Sequence, residues 1–207
     1  IQLAKMLDAR IHIAHLSTAG SVELVKKGKA EGVKVTAEVT PHHLYFDESE
    51  LSSYDPIFKV NPPLRTENDV LALRQALASG VIDIVATDHA PHPVEAKEGE
   101  FAQAAFGMLA LQSAVPVVVQ TMVESGLINW KRFFEILSIT PAKIGNYENH
   151  GLEIAVGNPA NLVLIGRNSH THTVDLLKSK SMNSPYIGKS FNYSVLATVF
   201  NGRVVYK

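Results

Sequence analysis

Through the first two-thirds of this chain, apolar positions fall alternately into short unbroken runs and into the rhythm of an amphipathic helix. Residues 9–16 read as a strand, residues 21–30 as a helix ending near Gly32, and residues 33–39 as a second strand closed by Pro41. Val70, Leu71, Leu73, Leu77 and Ala78 recur at helical spacing over residues 66–78, with Thr66 as the expected cap and Gly80 as the stop. Residues 81–86 predict a third strand, and the apolar stretch after them predicts a long helix over residues 106–125. Shorter helices are expected from Asn129 and from Pro141. Strands and helices in strict alternation argue for an α/β fold, a parallel sheet with covering helices.

Near Gly151 the rhythm changes. Residues 162–165, 171–174 and 195–206 read as short strands, the last interrupted by Asn201-Gly202, a strong hairpin signal. The expected division is residues 1–150 as the α/β part and residues 151–207 as a small β unit. Three strand units cannot close an eight-stranded barrel, which takes about 250 residues. The pattern therefore implies either a small open sheet or the later part of a larger barrel. A chain opening on Ile1 favours the second, and is expected to begin inside a longer protein.

Composition removes several function classes. The net charge is −1 and no long basic run occurs, so the electrostatic footprint of a nucleic-acid binder is missing. The longest apolar stretch, residues 108–123, is broken by Gln112, Ser113, Pro116 and Gln120, which points to a buried helix and not a membrane span. With no cysteine there is neither disulfide nor thiolate metal site, which fits a cytoplasmic protein.

What packing does not explain is Ala86-Thr87-Asp88-His89-Ala90-Pro91-His92 at the end of the third strand. A carboxylate delivered by a buried strand needs a partner where water is scarce, and a metal ion or a catalytic proton transfer would supply one. Six of the nine histidines lie within the first 92 residues as three pairs, His12 and His15, His42 and His43, and His89 and His92. In parallel α/β folds the carboxyl ends of the strands form the active-site face, so all three pairs are expected to converge there. His12 and His15, three apart on a strand, should point to opposite faces, and His15, nearer the strand end, is the expected metal ligand. His42-His43 follows a proline and reads as a loop element. Asp88 suits an oxygen ligand or a general base, His92 a hydrogen bond to substrate, and His89 a structural role. In Lys59-Val60-Asn61-Pro62-Pro63-Leu64-Arg65, two prolines stiffen a loop whose Asn61 can pair with a cyclic amide edge. Arg65 suits either a carboxylate or a structural ion pair. Ala105-Phe106-Gly107 offers backbone groups to a ligand.

Together these stretches resemble the class I (bacterial-type) dihydroorotases of the amidohydrolase superfamily. The matching runs are His12-Ile13-Ala14-His15-Leu16-Ser17-Thr18, Glu38-Val39-Thr40-Pro41-His42-His43-Leu44, residues 59–65, 87–92 and 105–107, and the region from Lys178-Ser179-Lys180 to Pro185-Tyr186-Ile187-Gly188. The resemblance implies strands six to eight of a (β/α)8 metal-dependent hydrolase barrel, with a β domain composed from both ends of the longer chain. It implies one or two zinc ions, with Asp88 on the first and His15 on the second, Asp88 as the catalytic acid/base, and Asn61, His92, Phe106 and Gly107 binding dihydroorotate. The remaining ligands, a strand-one His-x-His, a bridging carboxylate or carboxylated lysine, and a strand-five histidine, would lie before Ile1.

The implied reaction is reversible hydrolysis of dihydroorotate to N-carbamoyl-aspartate in pyrimidine biosynthesis. The implied partners are the N-terminal part of the same protein, further copies in a homo-oligomer, and aspartate transcarbamoylase. Two alternatives stand beside it: another cyclic amidohydrolase of allantoinase or hydantoinase type, and a non-catalytic scaffold for the transcarbamoylase. The Asn61 loop favours dihydroorotase over the first. The retained His15, Asp88, Asn61 and His92 argue against the second.

Overall fold

The computed structural model describes residues 1–207 as two three-stranded sheets with helices packed between and around them. The first sheet comes from the alternating part of the chain. Helix α1 (Gln2–Met6), strand β1 (Ile11–Ile13), helix α2 (Ala19–Ala30), strand β2 (Val35–Val39), the single turn α3 (Pro41–Tyr45), helix α4 (Glu67–Ser79) and strand β3 (Ile84–Val85) follow in order. Both strand pairings are parallel, and spatial order equals chain order. Central β2 is buried along nearly its whole length, with Ala37 and Val39 wholly inside, as a parallel strand covered on both faces should be.

Local chemistry sets the helix limits. The Thr18 hydroxyl accepts from the Ser21 N–H at 3.1 Å and the Thr66 hydroxyl from the Asp69 N–H at 3.2 Å, each relieving an orphan donor of a first turn. Gly80 ends α4 at φ +84, a left-handed stop that glycine adopts without strain. At the opposite end of the sheet from the strand termini, Lys29 Nζ lies 2.8 Å from both oxygens of Asp83, which also accepts the Ala37 N–H at 2.8 Å. This locks the last turn of α2 to the entry of β3. The main core forms where Val25, Leu73, Leu77 and Ile82 meet Val118, Met122, Phe133 and Ile136.

The long helix expected over residues 106–125 starts only at Ala114. Before it the chain runs extended: the Gly107 N–H donates to the Lys59 carbonyl at 2.9 Å, the Leu109 N–H to the Asn183 carbonyl at 2.9 Å, and the Met108 carbonyl accepts from Ala90 at 3.0 Å. Met108, Leu109 and Ala110 are buried, so their apolar character serves a threaded segment and not a helix face. Pro116 marks the true start, since it falls in the first turn of α5 (Ala114–Val118), where a missing N–H costs nothing. α5 continues through a π turn at Val119–Val123. Asn129 caps α6 (Trp130–Phe134), as its side chain suggests, and a second π turn, Glu135–Ile139, leads into α7 (Thr140–Gly145).

The second sheet is antiparallel, in the order β4 (Leu162–Thr171), β5 (Ser190–Phe200), β6 (Arg203–Tyr206). Asn201 and Gly202 both take positive φ (+47 and +76), which gives a two-residue turn the twist that flanking strands need. No separate strand forms over residues 171–174. β4 instead runs on to Thr171 through two irregularities in its register, and Val174–Leu176 is a 3₁₀ turn. Tyr186 and Phe191 join Phe46, Val60, Leu64, Met108 and Val117 in a second apolar cluster, so this sheet is anchored to the segments that flank the first. No helix is long and apolar enough to cross a membrane.

Candidate active site

Each parallel strand delivers a polar side chain at its carboxyl end, and three of these meet. Glu38 on β2 is buried, a carboxylate in a strand otherwise made for the interior. Its Oε2 lies 2.9 Å from His12 Nε2 and its Oε1 2.7 Å from His15 Nδ1. His12 also bonds the Thr36 hydroxyl at 2.8 Å. The expected divergence of His12 and His15 does not occur. β1 ends at Ile13, His15 takes φ +53, and the strand alternation stops before reaching it. Beyond Glu38, the other face of the His15 ring places Nε2 3.5 Å from Asp88 Oδ1.

Asp88 is itself left-handed, at φ +45. Non-glycine residues in that region are uncommon and persist where the surroundings hold them, a pattern that collects at functional sites. Two of them here supply the facing His and Asp. The contact of His15 Nδ1 with Glu38 is close but off the N–H axis, so the carboxylate orients the ring chiefly by charge.

A neutral imidazole nitrogen and a carboxylate oxygen are donors that zinc takes. His15 and Asp88 supply two such donors, too few to complete a zinc shell. No group of three or more His, Cys, Asp or Glu side chains in this chain is placed to hold a metal. The pair therefore fits a metal as part of a shell that needs further ligands.

Behind the pair, His42 and His43 lie not in a loop but on the short α3, whose cap is Thr40. The Pro62 carbonyl can only accept, so the His43 Nε2–H donates to it at 3.0 Å, and Nδ1 accepts from the Thr40 hydroxyl at 2.7 Å. Burial pulls the His43 pKa down to about 4, keeping the ring neutral. His42 is wholly buried with neither ring nitrogen partnered, and burial pushes its pKa well below the usual imidazole value.

The rim is made by three loops. His92 Nε2 donates to the Phe106 carbonyl at 2.8 Å, which leaves Nδ1 as the nitrogen free for a ligand, able to donate only from the imidazolium form. Phe106 is exposed, and Lys59 Nζ sits 4.6 Å from its ring centre. Gly107 is required by space as well as by its φ of +125: a Cβ there would stand 2.5 Å from the Ala90 Cβ and 3.0 Å from His92 Nε2. Its N–H goes to Lys59 and its carbonyl accepts from Lys97 and Asn183, whereas the Phe106 N–H has no partner. Asn61 is exposed on the same 59–62 segment, its side chain uncommitted. Arg65 forms no ion pair. His89 is structural, its Nδ1 accepting from the Ala110 and Leu111 N–H groups at 3.1 and 3.2 Å.

The amidohydrolase family profile matches residues 1–205. The chain belongs to the amidohydrolase family. A dihydroorotase of Streptomyces coelicolor is 50% identical over 205 residues, covering 98% of this chain and 48% of that protein. A dihydroorotase of Mycobacterium tuberculosis is 49% identical over 203 residues, covering 98% and 47%. Among solved structures, an L-hydantoinase (dihydropyrimidinase) from Arthrobacter aurescens superposes with a TM-score of 0.93 at 28% identity, covering 100% of this chain and 47% of that one. The chain spans about half the length of the curated relatives it matches.

Membership in the amidohydrolase family throws into relief what residue-by-residue reading passed over. Glu38 carried the same signal as Asp88, a charge in a doubly buried strand, and could have been singled out on that ground. Lys97 and Asn183 carried none. Each becomes visible only through the loop carbonyls it reaches.

Proposed function

We propose that this amidohydrolase chain supplies strands six to eight of a distorted (β/α)8 barrel and part of a β domain in a dihydroorotase, which hydrolyses the cyclic amide of dihydroorotate reversibly to N-carbamoyl-aspartate. The observation that carries the reading is the approach of His15 Nε2 to Asp88 Oδ1 at 3.5 Å, both on left-handed backbone at the ends of parallel strands. The dihydroorotase relatives at about half identity support the substrate. We assign the missing ligands to the part of the longer relatives that this chain does not span.

His15 and Asp88 would hold zinc, which when bound polarises the ring carbonyl and lowers the pKa of water toward ~7. Asp88 accepts the proton of the attacking water as oxygen adds to the ring carbonyl. As the carbon–nitrogen bond breaks, Asp88 returns that proton to the departing ring nitrogen, so no negative charge is left on what becomes the carbamoyl nitrogen. Glu38 holds the His15 ring to its task. The substrate carboxylate meets the free Phe106 N–H beside the His92 ring, while Asn61 pairs with the amide edge as both donor and acceptor. Gly107 contributes by letting these loops close together.

Asp88→Asn in the natural full-length protein is expected to lower kcat for dihydroorotate at least about a thousandfold with thermal unfolding unchanged. Turnover near that of the unaltered protein overturns the assignment. A hydantoinase-type activity is the second reading, favoured by the superposition on the Arthrobacter enzyme. A panel of dihydroorotate, hydantoin and allantoin separates the two.

A further inference from the structure

Two side chains outside the proposed substrate contacts bind the rim loops to one another. Asn183, in the segment leading to β5, is 5% exposed and uses every polar group of its side chain. Its Oδ1 accepts from the His92 N–H at 3.2 Å, and its Nδ2 donates to the Ala90 carbonyl at 2.8 Å and to the Gly107 carbonyl at 3.3 Å. Its own carbonyl accepts from Leu109 at 2.9 Å. One buried amide thus joins the 88–92 turn to the 105–109 segment.

Lys97 completes the arrangement from the other side. Its Nζ lies 2.9 Å from the carbonyls of Ala105 and Gly107 and 3.4 Å from that of Lys59. A lysine that is not fully exposed is ordinarily drawn to a carboxylate, yet here three backbone carbonyls from two loops converge on the ammonium. They satisfy all three of its donors. Gly107 is the common point, since its carbonyl accepts from both Lys97 and Asn183 and its N–H reaches Lys59.

We infer that Asn183 and Lys97 are positioning residues that set the spacing between His92 and the Phe106 N–H, and so the fit of the substrate's carboxylate. The inference rests on the reading of His92 and Phe106 as substrate contacts. Neither residue hydrogen-bonds Asp88 or His15, so the larger effect falls on substrate binding and the smaller on the chemical step.

The test is steady-state kinetics of dihydroorotate hydrolysis by the natural full-length enzyme and its Asn183→Asp, Lys97→Met and Lys97→Arg variants. Asn183→Asp keeps the acceptor for the His92 N–H but turns the donor side into an acceptor facing two carbonyls. Lys97→Met keeps the aliphatic stem and removes all three donors. Both are expected to raise KM about tenfold or more with kcat within about threefold, the signature of lost uniform binding. Lys97→Arg, which keeps the charge and the donors, should restore KM to within about threefold of the unaltered enzyme. A fall in kcat at constant KM, an unaltered KM in both variants, or equal KM values for Lys97→Met and Lys97→Arg overturns the inference. If a variant fails to fold, the Met-against-Arg comparison at Lys97 and the Asp variant each stand alone as a test. Absence of dihydroorotate turnover in the unaltered enzyme instead overturns the functional reading, and the two failures are distinguishable.

Discussion

The parallel sheet β1–β3 and the antiparallel sheet β4–β6 are written in similar apolar letters, yet the chain treats them differently. Ala37 and Val39 of β2 have no exposed surface, whereas Leu162, Val163 and Leu164 of β4 are 38%, 42% and 58% exposed. Consecutive strand residues point to opposite faces, so both faces at that end of β4 are open. Val204 and Val205 on β6 repeat the pattern. Every candidate ligand and acid lies at the carboxyl ends of the parallel strands. The contrast teaches that apolar content alone does not locate the interior here. Coverage on both faces does, and it brings the few polar groups of the parallel sheet to meet one another, as His12, His15, Glu38 and Asp88 do.

Substitutions in the natural full-length protein can break or sharpen that contrast. Leu77→Ala in the main core should cost about 2–5 kcal/mol of stability, read as a shift in urea midpoint at constant slope. A cost below about 1 kcal/mol would mean that the parallel-sheet side is loosely packed.

A smaller effect follows from His43. Its pKa is about 4 when folded and near 6.5 when unfolded, so between these values the unfolded chain takes a proton that the folded chain refuses. Its contribution to stability is whole above pH 6.5 and is lost as pH falls toward 4, at about 1.4 kcal/mol per pH unit. His42, displaced in the same direction, adds to the slope. Urea midpoints measured across this range should fall with pH, and His43→Gln should flatten the trend. A flat profile in the unaltered protein contradicts the buried, neutral assignment.

Glu38→Gln tests whether the strand-end carboxylate supports a ligand. Removing the charge behind His15 should weaken zinc binding about 10–100-fold in a chelator-competition titration with zinc alone, a readout independent of turnover. Unchanged affinity would reduce Glu38 to a packing partner of two histidines. The smallest effect is expected on the other sheet, where Val205→Ser should change stability by no more than about 0.5 kcal/mol. A markedly larger cost would show that β6 is covered in the natural protein, and the contrast between the sheets would then belong to this chain alone.

How far the site could be read in advance depends on how local each signal is. Thr66, Gly80, Asn129 and the Asn201-Gly202 pair act within a few residues of themselves, and the elements they predict formed at those places. The 105–110 segment misled for the opposite reason. Its apolar run satisfies helix periodicity, but its hydrogen bonds go to Lys59, Ala90 and Asn183, all distant in sequence. Only the position of Pro116 hinted at the later start. His12 and His15 failed similarly, because strand alternation was carried two residues beyond where β1 ends.

By itself, then, the order of residues determined the alternation of strands and helices, their caps and turns, and the run from Asp88 to His92 as an acid followed by two histidines, since each depends on backbone preference and short-range hydrogen bonding. Tertiary structure alone decided that Glu38 would sit behind His15, that His15 Nε2 would face Asp88, and that Asn183 and Lys97 would converge on the Gly107 carbonyl. Those contacts join residues from 10 to 76 positions apart, and which buried donor reaches which acceptor is settled only when the sheets and loops close around them.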